Sequence, residues 1–116
     1  MGYRSDICIG IKKEVKAWAL INNNWPSLLD EADSTDEESD ATFYNYQGWK
    51  WYQTYDEVLE VEKFLAAVEE QYGNSSPPES AYAFVRLGEE YEDIEVKGQP
   101  WDLGIEIHRT IERYSY

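Results

Sequence analysis

The stretch Thr42 to Tyr72 constrains this chain more than any other, because its densest run of aromatic residues leads directly into its best-defined helical pattern. Thr54 and Glu57 stand at the spacing of a capping box, in which the hydroxyl takes the free amide three residues on and the carboxylate reaches back. The spacing predicts a helix beginning near residue 55. Val58, Val61, Leu65, Val68 and Tyr72 recur at three- and four-residue steps and form one apolar stripe. Asp56, Glu60, Lys63, Ala67 and Glu70 occupy the other side, and Gly73 supplies the stop. Upstream, Phe43 to Tyr52 is aromatic without a helical period and contains Gly48, which reads as a strand that bulges or bends at the glycine. A second possibility is that Gly48 turns the chain, making a hairpin of Phe43–Tyr46 and Trp49–Tyr52 and a ferredoxin-like order.

Toward the N-terminus, Ile7, Ile9 and Ile11 alternate with Cys8 and Gly10, which places a strand over residues 3–11. From Lys12 the step lengthens: Val15, Trp18, Ala19 and Ile21 follow a helical spacing that Asn22, Asn23 and Asn24 weaken. Pro26 fits the first turn of a fresh helix carrying Leu28 and Leu29, so the first helix is expected to break or kink near 22–26. Asp30 to Asp40 holds seven acids and no large apolar side chain, and reads as an exposed, mobile loop. Residues 73–80 read as a loop. Beyond them, 81–87, 94–97 and 103–109 read as three strands linked as hairpins through 88–93 and 98–100. The expected architecture is a single α+β domain spanning 1–116, with the order β-α-β-α-β-β-β. An antiparallel or mixed sheet of about five strands carries two helices on one face, and the mobile acidic loop at 30–40 lies outside it.

Twenty-four acidic residues face ten basic ones, giving a formal charge of −14 on 116 residues. Such a charge repels phosphate backbones and anionic membrane surfaces, and it speeds encounter with a basic protein surface. No apolar run approaches the roughly 20 residues that span a bilayer, and the opening residues lack the order of a signal peptide. A cytoplasmic protein is expected, with no direct nucleic-acid or membrane binding. The single Cys8 rules out an internal disulfide and reads as a buried, inert thiol.

Residues for chemistry are sparse. His108 is the one histidine, and Ser5, Asp6 and His108 make a triad only if the terminal strands pair. The chain has no glycine-rich phosphate loop, no H-E-x-x-H and no C-x-x-C. The acidic runs do not match a calcium loop, and no cofactor or metal is expected. Trp49, Trp51, Tyr52 and Tyr55 read as core aromatics, with a binding platform as the other possibility.

The opening Met1-Gly2-Tyr3-Arg4-Ser5-Asp6, the Lys50-Trp51-Tyr52 followed by Tyr55-Asp56-Glu57-Val58, and the late Arg86-Leu87-Gly88-Glu89 with Asp93-Ile94-Glu95 resemble a group of small, mostly uncharacterised phage and prophage proteins. The resemblance implies phage origin and a small α+β body, and it carries no catalytic residue. In charge and size the chain is also similar to acidic phage inhibitors of host nucleases, among them DNA-mimic anti-restriction and anti-CRISPR proteins. The expected function is therefore a non-enzymatic inhibitor of a host defence complex. Its partner-binding carboxylates are those of Asp36, Glu37, Glu38, Asp56, Glu57, Glu60, Glu89, Glu90, Glu92 and Asp93, and its partner is a basic host protein or nucleoprotein complex. The alternatives are a protein-binding or homodimerising module with an aromatic contact patch, and a small-ligand or nucleotide-binding protein.

Overall fold

Strand β1, Ser5–Lys12, lies at the centre of the sheet because both of its edges are taken. It pairs antiparallel with β3, Ala41–Trp49, on one side and with β4, Tyr82–Gly88, on the other. The computed structural model describes residues 2–72, 81–98 and 105. Within them, β2 (Ser34–Glu37) pairs with β3 and β5 (Ile94–Gly98) with β4, which completes an antiparallel sheet of order β2-β3-β1-β4-β5. The α+β architecture expected from sequence is the one formed. The expected strand at 103–109, the stop at Gly73 and the loop 73–80 lie outside the described residues, Ile105 excepted.

One face of the sheet carries the core. Ile7, Ile9 and Ile11 of β1, Tyr44 and Tyr46 of β3, and Tyr82 and Phe84 of β4 all point to this face and are buried. Two helices cover it: α1, Lys13–Ile21, through Val15 and Ala19, and α2, Asp56–Tyr72, through Val58, Val61, Phe64, Leu65 and Val68. Four members of the stripe read from the sequence, Val58, Val61, Leu65 and Val68, are buried together with Phe64, and Tyr72 is half-buried against them. The first helical hydrogen bond runs from the Leu59 amide to the Tyr55 carbonyl at 2.9 Å, which makes Tyr55 the cap, one residue past the Thr54 of the expected capping box.

The break after α1 falls where the asparagines weaken the helix. Asn23 takes φ 56°, a left-handed conformation that asparagine tolerates better than most residues, and the Asn24 amide reaches back to the Ala19 carbonyl at 2.8 Å. After Pro26 the chain makes a short 3₁₀ helix, Ser27–Glu31, which buries Leu28 and Leu29. The Tyr46 hydroxyl donates to the Leu28 carbonyl at 2.8 Å and ties this turn to β3.

Phe43–Tyr52 does not form a hairpin. Its first part belongs to β3, and the register shifts from Ile7↔Tyr46 to Ser5↔Trp49, placing one extra residue in β3. Gly48 stands there at φ 65°, the positive angle that a bulge of this kind demands and that glycine supplies without steric cost.

The segment 30–40 corrects the sequence reading. It is not a mobile loop throughout: Asp30 and Glu31 end the 3₁₀ helix, and Ser34–Glu37 pair with β3 as an edge strand. The reason is that β2 is held by backbone hydrogen bonding to β3, with all four of its side chains exposed, so no apolar alternation marks it in the sequence.

Leu65 is 1% exposed at the centre of the α2 stripe. Leu65→Ala is expected to cost about 2–5 kcal/mol in chemical denaturation. A loss below about 1 kcal/mol would show that the stripe contributes little to the core.

Candidate functional site

The acids expected to bind a partner fall on three elements, and the fold joins only two of them. At the end of the sheet where β1 begins, the β4–β5 hairpin is closed by bonds from the Gly88 amide to the Asp93 carbonyl, 2.8 Å, and from the Asp93 amide to the Glu90 carbonyl, 3.0 Å. The Arg86 guanidinium grips this hairpin. It donates to Asp93 Oδ1 at 2.9 Å and Oδ2 at 3.2 Å, to Glu95 Oε1 at 2.9 Å and to Ser5 Oγ at 3.0 Å. Its pKa is raised, first by the hydrogen bond to Asp93. The Tyr3 hydroxyl donates to Asp93 Oδ2 at 2.6 Å and accepts from the Glu90 amide at 3.1 Å, while the Arg4 amide donates to Glu89 Oε2 at 2.6 Å. Gly88 has no room for a side chain, since a Cβ there would collide with the Asp93 carboxylate and the Tyr3 hydroxyl. Asp93 is therefore a structural acceptor, which corrects its expected role as a free contact carboxylate.

Asp56, Glu57 and Glu60 project exposed from the first turns of α2 at the same end of the molecule. Arg4 links the two groups: its backbone bonds to Glu89, and its side chain lines a cleft of about 410 Å³ with Gly48, Trp49, Lys50, Tyr55 and Glu57. Arg4 Nη1 donates to the Gly48 carbonyl at 2.9 Å. Asp36, Glu37 and Glu38 are elsewhere. Asp36 and Glu37 stand on the edge strand β2 opposite Phe43 and Thr42, whose partners on β1 are Gly10 and Ile11, at the far end of that strand. Glu37 lies 4.0 Å from Lys13, an exposed pair that contributes little.

The second face of the sheet holds a groove of about 510 Å³ that the sequence reading did not find. Strand register places Asn45, Cys8, Val85 and Val96 in one row across this face, and Asp6, Leu87 and Ile94 in the next; Val96 and Ile94 lie beyond the groove, Ile105 lines it, and Val85 in its floor is buried. Three carboxylates stand along its β2–β3 side, each held by one oxygen. Asp6 Oδ1 accepts from the Gly48 amide at 2.9 Å, and Asp36 Oδ2 accepts from Asn45 Nδ2 at 3.0 Å. Asp33 Oδ2 accepts from the Gln47 amide at 2.8 Å and from Trp49 Nε1 at 2.9 Å. The one available signal was Asp6, which alternates out of phase with Ile7, Ile9 and Ile11 and so had to lie on the second face.

Cys8 lines this groove and is half-buried. Burial, and then the charge of Asp36, push its thiol up to about 11. Ser5 accepts from Arg86 and Asp6 from the Gly48 amide, so both serve the fold, and His108 lies outside the described residues. Of the four aromatics read as core, Trp51 is buried and Trp49 packs half-buried against the core, meeting Tyr46 edge-on at 4.9 Å, whereas Tyr52 is half-buried and Tyr55 is exposed, their rings 5.2 Å apart. Among the described residues no group of His, Cys, Asp and Glu is arranged to hold a metal ion, and no helix is long and apolar enough to cross a membrane. No protein-family model matches the chain, and comparison with curated proteins and with solved structures finds no significant match.

Two predictions follow from these contacts. Arg86→Ala removes the cation that joins Asp93 to Glu95, which keeps Lys97 at 3.5 Å, and its cost is expected to fall between the roughly 3–5 kcal/mol of a buried pair and the at most about 1 kcal/mol of an exposed one. Lys13→Ala, by contrast, should be nearly silent in the same denaturation series. For Cys8, the folded thiol ionises later than the unfolded one, so its neutral form favours the fold at neutral pH, and that contribution is lost as pH rises from about 9 to about 11. The alkylation rate of native protein should climb through that window. A plateau reached below pH 9 would contradict the placement of the thiol.

Proposed function

We propose that this chain is a non-enzymatic inhibitor of a host defence complex, of the anti-CRISPR or anti-restriction kind that phages encode. It acts by presenting carboxylates to a basic groove that otherwise holds nucleic acid. One observation carries this reading: Asp56, Glu57 and Glu60 on α2 share an end of the molecule with Glu89, Glu90 and Glu92 on a hairpin braced by Arg86, in a chain of net charge −14. Acids fixed on a helix and a stiff hairpin lose less entropy on binding than acids on a loose chain. Replacing phosphates in a groove also repays the partner's own cost of neutralising its cations. Asp36, Glu37 and Glu38, at the far end of β1, add to the long-range field without joining the same contact. The aromatic-patch alternative has less to stand on, because of Trp49, Trp51, Tyr52 and Tyr55 one is buried, two are half-buried and Tyr55 alone of the four is exposed.

The test reverses four exposed acids together, Asp56, Glu57, Glu60 and Glu92, to lysine. Proteins captured from bacterial lysate by the native chain at low salt should be released by double-stranded DNA and by moderate salt, since screening shortens the reach of surface charge. The fourfold variant, checked for fold by circular dichroism, should retain none of them, and a single reversal should cost at most about 1 kcal/mol. His108→Ala should behave as the native chain. Capture that survives the fourfold reversal, or is lost with the histidine, would overturn competition by acidic mimicry.

A further inference from the structure

The pairing of β2 with β3 decides which backbone groups of β2 are left open at the edge of the sheet. In an antiparallel pair, residues whose amide and carbonyl both turn to the neighbouring strand alternate with residues whose groups both turn away. The turn between β2 and β3 is closed by the bond from the Glu38 amide to the Ala41 carbonyl, 2.8 Å, and the register sets Asp36 opposite Phe43 and Ser34 opposite Asn45. Stepping by twos from Glu38, Asp36 and Ser34 turn their backbone to β3, and Glu37 and Thr35 turn theirs outward. On the other side of β3, the Lys13 amide bonds to the Asp40 carbonyl at 2.9 Å, which sets the same phase. No strand lies beyond β2 among the described residues, so the amides and carbonyls of Thr35 and Glu37 stand open along one edge.

An open edge of this kind receives another strand, and its side chains decide which one. Asp36 on one face and Glu37 on the other are both exposed, and Lys13 stands 4.0 Å from Glu37 without covering it. A second copy of β2 laid along this edge would bring the same acids to an acidic edge, which like-charge repulsion disfavours. Consecutive side chains of a strand point to opposite faces, so a segment with two consecutive basic residues meets Asp36 on one face and Glu37 on the other. We propose that β2 accepts an extended basic segment of a partner protein as an added strand, its main chain bonded to Thr35 and Glu37 and two consecutive lysine or arginine side chains set against Asp36 and Glu37. The open backbone holds the segment, and the carboxylates select and place it. This contact goes beyond the competition proposed above and shares with it only the positive charge of the partner. It lies at the far end of β1 from the hairpin acids.

The experiment adds the capped peptide Thr-Lys-Lys-Thr-Val to the purified full chain and follows amide hydrogen exchange by NMR. The amides of Thr35 and Glu37 should exchange quickly in the free chain and become protected as the peptide saturates, while those of Ser34 and Asp36 are protected from the start. Thr-Glu-Glu-Thr-Val should protect nothing. Methylating the peptide's amide nitrogens at alternate residues keeps its charge and removes its donors on one edge, so one alternate set should abolish binding and the other should be tolerated. Glu37→Lys should weaken binding by at least about fivefold. Glu60→Lys, which makes the same charge change on α2, should weaken it by less than about twofold. Equal losses from the two variants, or equal effects of the two methylation sets, would show diffuse charge attraction and overturn the proposal. Unchanged exchange at Thr35 and Glu37 under saturating peptide would overturn it as well. Protection of those amides that grows with protein concentration in the absence of peptide would make the edge a self-interface, with the same result. No nucleic-acid-binding protein enters this assay, so failure of the competition test and failure of the added strand are read separately.

Discussion

A strand paired on both edges has only its two faces left for function, and β1 is such a strand. Antiparallel pairing with β3 and β4 satisfies its backbone along its length, so the alternation of its side chains sorts the whole molecule into two surfaces. Ile7, Ile9 and Ile11 go to the side that α1 and α2 cover. Asp6 and Cys8 go to the side on which the groove opens. A slip of one residue in that pairing would exchange the two sets, exposing three isoleucines and burying an aspartate, and this is why the register is strongly fixed.

Charge is managed within that frame by giving the few cations several acids each. Arg86 holds Asp93 and Glu95, and Lys97 holds Glu95 and Glu62, the latter bridging β5 to α2. Lys97 is raised in pKa: burial pulls it down, and the contacts with Glu62 and Glu95 outweigh that. Lys16 lies over the Trp25 ring at 5.0 Å instead of pairing with an acid. Cations used to brace β4, β5 and α2 are not available to neutralise the surface. Asp56, Glu57 and Glu60 on α2 and Glu92 on the hairpin are among the acids left exposed on ordered elements.

Much of this was legible in advance, for identifiable reasons. The α2 stripe, the alternation in β1 and the break at Asn22–Asn24 are local patterns, and local patterns survive without knowledge of the fold. The bulge at Gly48 was legible because few residues but glycine sit easily at a positive φ within a strand. β2 was hidden, since its four side chains are all exposed and its pairing depends on the edge that β3 offers. Asp93 could not be told from Glu92 by sequence. One lies under Arg86 and Tyr3 and the other faces water, a distinction made by residues up to ninety positions away.

The sequence by itself determined the class of the fold, the helix that anchors it and the large negative charge. These are properties of composition and short-range periodicity, in which each residue's preference is set by its neighbours in the chain. Only the tertiary structure decided which acids share a surface. Strand order and register separate Asp36 from Glu57, bring Glu89 beside Arg4, and line a groove with Asp6, Asp33 and Cys8. Such contacts join residues distant in the chain, so their geometry follows from the pairing of β1 with both neighbours and is written in no single segment.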